Sequence, residues 1–552
     1  VNAPWTPSDR RRLLVVVAAA FALYCYGLGV GSLWDQDEAL YTQVAVDIVS
    51  TGDPITLHRD GAPWFVHPPL YMWLQAAIGK VFGFTEFTAR VWSAVSGAAV
   101  VAATFALAKM FYGPRTAPLA AGITATTFQV LVQSKIAVFD PTLLAFMLFG
   151  LYMYLVGYTT RSRRAYIWAW VWCGLATLTK GPIGLMLPAM VVVALWAIRG
   201  EWGRWREVPV AGPILYALVG LPWYIVETVR HGEAFIRTAV GYYMFNRFFG
   251  VVEDQPGPWF YYVPVLLLGA YPWTTFLPSA AAWLSRRRDE LASQVILLWC
   301  GITLVFYSLA GTKLPNYILP IYPVIAIGIA RLWVAFLDEA SEEARRLMRW
   351  SAGLLPLVSA LFVAALIIYG YIKFPAEAAA LRTPLVVIVS IFAGGPLIAR
   401  ILYLTGRPRA TLAALMLISV VAVVILVHAS IPAVEAYRPV PRIGRLLHQT
   451  LEPDVALAAV EMRKTPSIRY YARRAVIWVD DAEGLAEARC RHERLVVVVR
   501  DAEYRGWVAE ALGSSVARQG QTDGYRILVL RERAAPCPNV PNRPGQPSGT
   551  GR

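Results

Sequence analysis

Apolar runs of about 20 residues, the length that crosses a bilayer core, recur along the first four-fifths of this chain and constrain its fold more than any other feature. They fall near 13–33, 90–112, 115–133, 140–158, 164–180, 182–199, 209–228, 259–281, 292–311, 316–337, 351–373, 382–404 and 409–431. The 552 residues are 57% hydrophobic and only 16% charged, a balance that a soluble globular domain of this length does not show. Backbone in lipid must bond to itself, so each run is expected to be a helix. The expectation is an α-helical polytopic membrane protein with about thirteen transmembrane helices.

Arginines give the orientation, because short basic loops resist translocation. Arg10, Arg11 and Arg12 precede the first run, and every even-numbered connection is basic: Lys109 and Arg115, Arg161 to Arg164, Arg199 to Arg206, Arg286 to Arg288, Arg345 to Arg349, Arg400 to Arg409. That side reads as cytoplasmic, which places the C-terminal region outside. The net charge of +15 is then a topology signal, and nucleic-acid binding is not expected. The first run is too long, and lacks the small-residue cleavage site, for a removable signal peptide.

Three parts are expected: a transmembrane domain over 1–431 with external loops at 34–90 and 230–258, an exported α/β domain over 432–533, and a disordered Pro/Gly-rich tail over 534–552. In the second part, β-like runs at 475–479, 495–499 and 525–530 alternate with a helical stretch at 481–489. Within the first loop, the amphipathic, aromatic-rich stretch 70–84 suits the membrane interface better than a span. Cys25, Cys173 and Cys300 sit in apolar runs. Cys490 and Cys537 are able to pair in an oxidising compartment, although spacing does not decide it.

Three groups of residues are able to carry chemistry. The first is WDQDE, Trp34 to Glu38, directly after the first run. Its carboxylates are either a hydrated helix cap or, at Asp37 and Glu38, ligands in an external cavity for a metal, an ammonium or a hydroxyl. Tyr41 lies one helical turn beyond Asp37. The second is Asp140 at the mouth of an apolar run, before Pro141. It is either a helix cap or a functional carboxylate at the membrane edge. The third is cationic: His67, Lys180, Arg247 and Lys313 all fall on the side that positive charge avoids. They are either anchors at a headgroup or partners for a phosphate.

The stretches WDQDEALY, TGDPITLHRDGAPWFVHPPLYMW, IAVFDPTLLAF, LTKGPIGLMLP, NRFFG, PWFYYVPV, AYPW and TKLPNYILP stand in the order expected of GT-C glycosyltransferases. The chain resembles the bacterial aminoarabinose transferases that modify lipid A and, more broadly, protein O-mannosyltransferases, departing from the former pattern at His67 and Gln255. The resemblance implies a GT-C fold with a periplasmic α/β domain. Asp37, Glu38 and Asp140 would be catalytic, and Tyr41, His67, Lys180, Arg247, Lys313 and Tyr317 would bind substrate. Glu38 and His67 are candidate ligands for a divalent metal ion, and no organic cofactor is implied.

The implied reaction transfers 4-amino-4-deoxy-L-arabinose from undecaprenyl phosphate to lipid A phosphate on the periplasmic face of the bacterial inner membrane, by a monomer surrounded by membrane lipids. The alternatives are transfer of mannose or another sugar to protein or another lipid, and transport of a lipid-linked sugar. Transport fits less well, because the candidate residues gather at one face instead of lining a route through the midplane.

Overall fold

The computed structural model describes residues 4–35, 37–251, 255–373, 375 and 382–532. The expected tail and Cys537 lie outside the described residues. The chain divides into two compact units, one formed by 1–30, 65–74 and 90–430, the other by 31–64, 75–89 and 431–552.

The first unit is helical, and each of the thirteen apolar runs carries helix in whole or in part. Among the described residues, five helices are long and apolar enough to cross a membrane: Glu86–Tyr112, Asp140–Thr160, Leu291–Leu309, Glu342–Ile372 and Pro408–Glu435. A sixth candidate, Ala211–Gly220 with Pro222–Phe249, is bent by 48°. Other runs are interrupted for local reasons. Thr127 is extended, so that the Phe128 N–H leaves its helix to donate to Tyr271 O at 2.9 Å. Pro222 and Pro320 start new turns because they cannot donate within a helix.

Helices Glu86–Tyr112 and Asp140–Thr160 are mostly buried, whereas Glu342–Ile372 and Pro408–Glu435 turn most of their surface outward. The centre is aromatic: Trp273, Trp283, Trp299 and Trp333 are almost wholly enclosed. Several arginines at the helix ends are engaged locally. Arg199 donates to Gln294 at 2.9 Å, Arg204 binds Glu201 and Glu207, and Arg331 lies over Tyr112. Within the last runs, His428 bonds Tyr26 Oη at 2.7 Å. Cys25, Cys173 and Cys300 are free thiols.

The second unit contains a five-stranded sheet and the loop segments that pack with it. The hairpin β1 (His58–Arg59) and β2 (Ala62–Pro63) lies in the loop after the first run. The sheet comprises β3 (Ala456–Val460), β4 (Val476–Val479), β5 (Leu495–Arg500), β6 (Val516–Thr522) and β7 (Tyr525–Leu530), in the order β4-β3-β5-β7-β6. The first three are mutually parallel, with Ala458 opposite both Ile477 and Val497. Strand β7 pairs antiparallel with both β5 and β6, and the turn Asp523-Gly524, whose positive φ values of 48° and 80° suit this Asp-Gly sequence, joins it to β6.

Helices cover both faces of the sheet, which is why β5 reads as a continuous apolar run. Leu457, Val496 and Val498 pack with Ile443, Leu447 and Ile468 on one side, and Val460, Val497 and Val499 with Leu485 and Leu512 on the other. Cys490, on helix Ala482–Arg491, is disulfide-bonded.

Candidate active site

Two antiparallel helices build the cluster in the first unit. Asp140–Thr160 and Arg163–Lys180 are 21 and 18 residues long and are joined by a two-residue link, so their outer ends, Asp140 and Lys180, meet. Pro141 presets the first turn of one helix. Gly181, at φ +91°, ends the other. An acid at a helix N-terminus and a base at a C-terminus each also match the peptide dipoles.

Lys180 Nζ stands 2.5 Å from Asp140 Oδ1, and the amide of Asn316 donates to the other oxygen at 2.8 Å. The two charged side chains are 15% and 6% exposed, so the pair is nearly withdrawn from solvent. Phe139 and Tyr317 present their rings to the Lys180 ammonium at 4.9 and 5.1 Å. Arg247 Nε donates to Tyr317 Oη at 2.8 Å, which brings a second cation to the same group. A narrow opening lies here, lined by Asp140, Lys180, Tyr307, Asn316 and Tyr317 among others.

His67 packs edge-on against Phe139 at 4.6 Å. Burial, then the nearby Lys180 and Arg247 charges, hold its imidazole well below its usual pKa, so it is neutral. Lys313 faces elsewhere: its ammonium donates to Ser308 O and Ala310 O at 2.8 and 2.7 Å, closing the end of helix Leu291–Leu309, and burial lowers its pKa. The structure thus brings together His67, Asp140, Lys180, Arg247 and Tyr317, while Lys313 serves as a helix cap.

This cluster does not fit a divalent cation. Both Asp140 oxygens already accept from donors, and His67 faces two positive charges. Among the described residues, no three His, Cys, Asp or Glu side chains gather as a ligand set.

Asp37, Glu38 and Tyr41 belong to the second unit, at the start of helix Asp37–Thr51. Their roles separate there. Glu38 is 2% exposed and accepts the Trp34 N–H at 2.9 Å, which caps the helix entry. Asp37 is exposed, and Tyr41 Oη donates to its Oδ1 at 3.2 Å.

The segment carrying them is gripped by the helices beside the sheet. Arg469 donates to Asp47 at 2.9 Å and to Asp60 at 3.1 Å, and the Ser467 N–H donates to Asp35 at 3.0 Å. Arg438 donates to Ser32 O and Leu33 O at 2.9 and 2.6 Å and stacks over Trp34, while Tyr471 Oη accepts the Leu33 N–H. Burial raises the Asp47 pKa, and Arg469 opposes the rise.

Sequence reasoning singled out neither this grip nor Asn316. Asn316 stands beside Tyr317 in a motif already noticed, and as an uncharged residue it gave no electrostatic signal. The grip joins residues hundreds of positions apart.

Residues 66–225 match the family model described as dolichyl-phosphate-mannose-protein mannosyltransferase. The fold is similar to the crystal structure of ArnT from Cupriavidus metallidurans bound to undecaprenyl phosphate, with a TM-score of 0.79 at 21% identity over 95% of this chain and 99% of that one. It is more distantly similar to an oligosaccharyltransferase from Archaeoglobus fulgidus, with a TM-score of 0.52 at 13% identity over 91% and 70% of the two chains. The undecaprenyl phosphate-α-4-amino-4-deoxy-L-arabinose arabinosyl transferase of Pseudomonas paraeruginosa is 30% identical over 380 residues, which are 66% of this chain and 67% of that protein. A helical GT-C fold and this relative, of which the chain covers 67%, identify the chain as a member of the undecaprenyl phosphate-aminoarabinose arabinosyl transferase family.

Proposed function

We infer that this protein is an integral membrane glycosyltransferase that moves 4-amino-4-deoxy-L-arabinose from undecaprenyl phosphate to a phosphate of lipid A. The observation that carries the reading is the 30% identity over 380 residues to an enzyme named for that donor. The cluster in the first unit has the chemistry such a donor requires. As the bond between the anomeric carbon and the phosphate oxygen breaks, the electron pair leaves with undecaprenyl phosphate, and the acceptor oxygen bonds to that carbon from the opposite face.

Lys180 and Arg247 supply positive charge where the leaving phosphate becomes more negative, the kind of term that is usually largest in such catalysis. Asp140 holds Lys180 and Asn316 in place, which fixes the ammonium and the amide at the cleft. A lipid phosphate is already ionised near neutral pH, so no base is required, and Asp37 then serves to orient sugar groups.

The arginine-bearing connections support a reading in which they face the cytoplasm, the chain has about thirteen spans, the transfer chemistry and the C-terminal domain face the periplasm, and a monomer is the working form. Residues 1–431 are the membrane part and 432–533 the exported part of that arrangement.

The match to a mannosyltransferase model over 66–225 favours one other reading, mannose transfer from a polyprenyl phosphate to a protein hydroxyl. One assay separates the two: the purified protein is incubated with lipid A, a hydroxyl-bearing peptide and each polyprenyl-phosphate sugar, and the products are weighed. Lipid A that gains aminoarabinose supports the first reading. Unmodified lipid A with a mannosylated peptide overturns it.

A further inference from the structure

The start of helix Glu342–Lys373 gathers arginines, and three of them have acidic partners. Arg286 and Arg287 hold Glu343 at 2.8 and 2.9 Å, and Arg345 pairs with Glu342. Arg400 has a backbone task. Pro356 has no N–H to give the carbonyl four residues before it, and Arg400 donates to that carbonyl, Ala352 O, at 3.3 Å and to Gly353 O at 2.7 Å.

Arg346 and Arg349 differ from these. Both are exposed, and neither has an ion pair or a hydrogen bond among the described residues. Their three-residue spacing puts them on one face of the helix. With Trp350, Gly353 and Leu354 they line an open cleft of about 610 Å³. A side-chain carbon added at Gly353 would meet only the Arg400 guanidinium, at 3.9 Å, so the space in front of this glycine is open.

Leu354, Leu357 and Leu361 continue from the cleft on the same helix at spacings of three and four, and they are 38%, 57% and 61% exposed. Trp350, 66% exposed, stands where the polar and apolar parts meet, the position tryptophan takes at a bilayer interface.

We propose that this cleft binds an anionic phospholipid, with its phosphodiester between Arg346 and Arg349 and an acyl chain along Leu354, Leu357 and Leu361. The charge complementarity is local, because the neighbouring arginines are neutralised or engaged. The apolar rail beyond the pair distinguishes a lipid from a free anion. The site is independent of the transfer reaction.

The full-length protein in nanodiscs of phosphatidylcholine with or without phosphatidylglycerol is examined by native mass spectrometry and by titration with phosphatidylglycerol. Wild-type protein should retain phosphatidylglycerol. The double variant Arg346→Gln/Arg349→Gln should bind it about 30-fold more weakly, the loss of two cation contacts. Gly353→Leu, which fills the cleft at constant charge, should also weaken binding, whereas Arg345→Gln should not. Equal loss in Arg345→Gln would mean diffuse surface charge and overturn the proposal. Undiminished binding in the double variant would overturn it, as would equally tight binding of glycerol phosphate, which has no chains.

Discussion

Replacing Lys180 by methionine keeps the length of the side chain and removes its charge from Asp140. At 2.5 Å, and with the effective dielectric of about 20 that suits protein sites, the gross attraction is about 7 kcal/mol. Most of it is offset by the desolvation of two groups that are 15% and 6% exposed. Losing one partner strands the other, so the single variant should lose about 3–5 kcal/mol of stability. If Lys180 also stabilises the leaving phosphate, kcat should fall about 100- to 1000-fold.

Lys180→Met/Asp140→Asn separates these effects. Asparagine keeps the shape of Asp140 without its buried charge, so thermal stability should largely return while turnover stays low. The assay is a thermal melt in detergent alongside single-turnover transfer from the polyprenyl-phosphate donor. A double variant as unstable as the single would refute the buried-charge argument, and a Lys180→Met enzyme within tenfold of wild type would refute the role on phosphate.

Tyr317→Phe removes the acceptor of the Arg247 bond, worth about 1.5–3 kcal/mol for a charged donor. Donor KM should rise at least tenfold, and an unchanged KM would dissociate Tyr317 from donor binding. Gly184→Ala would place a carbon 2.4 Å from the Ala176 backbone, forcing apart the helices that position Lys180. Both the melting temperature and turnover should fall, and normal values would show that the helices can give.

In the second unit, the raised pKa of Asp47 means that its neutral form is preferred on folding. Its contribution is therefore fully present below about pH 4 and lost as pH rises through the raised folded value. Arg469→Ala removes the charge that opposes this loss, so its destabilisation should be greater at pH 7 than at pH 4. Equal melting shifts at both pH values would refute the pairing. A chelator should leave transfer intact, since the cluster around Asp140 does not fit a divalent cation, and activity lost to EDTA and restored by a metal would contradict that.

The helical part of the fold was legible because lipid imposes a single solution on a long apolar run. The breaks inside those runs were less so: the helix breaks at Thr127, where the Phe128 N–H turns to a distant carbonyl on Tyr271. In the C-terminal sheet, β4, β5 and β7 are apolar and β-branched and were anticipated, whereas β3 is an alanine-rich ALAAV and β6 a polar edge strand, VARQGQT, and neither carries a strand-like pattern. Asp140 and Lys180 stood out because a charge beside an apolar run demands a partner. Glu38 and Asp37 are indistinguishable as letters, and only the start of the helix turns one inward as a cap and leaves the other exposed.

The grip on the first loop has a consequence for biogenesis. Asp47 leaves the ribosome 422 residues before Arg469, the cation it needs, so almost the whole protein must be synthesised before that contact can form. Until then the loop that holds Asp37 lacks the restraints of Arg438, Ser467 and Arg469. A partly made chain could be fully inserted and still hold Asp37 loosely, and ordering of this loop would be among the last steps of maturation.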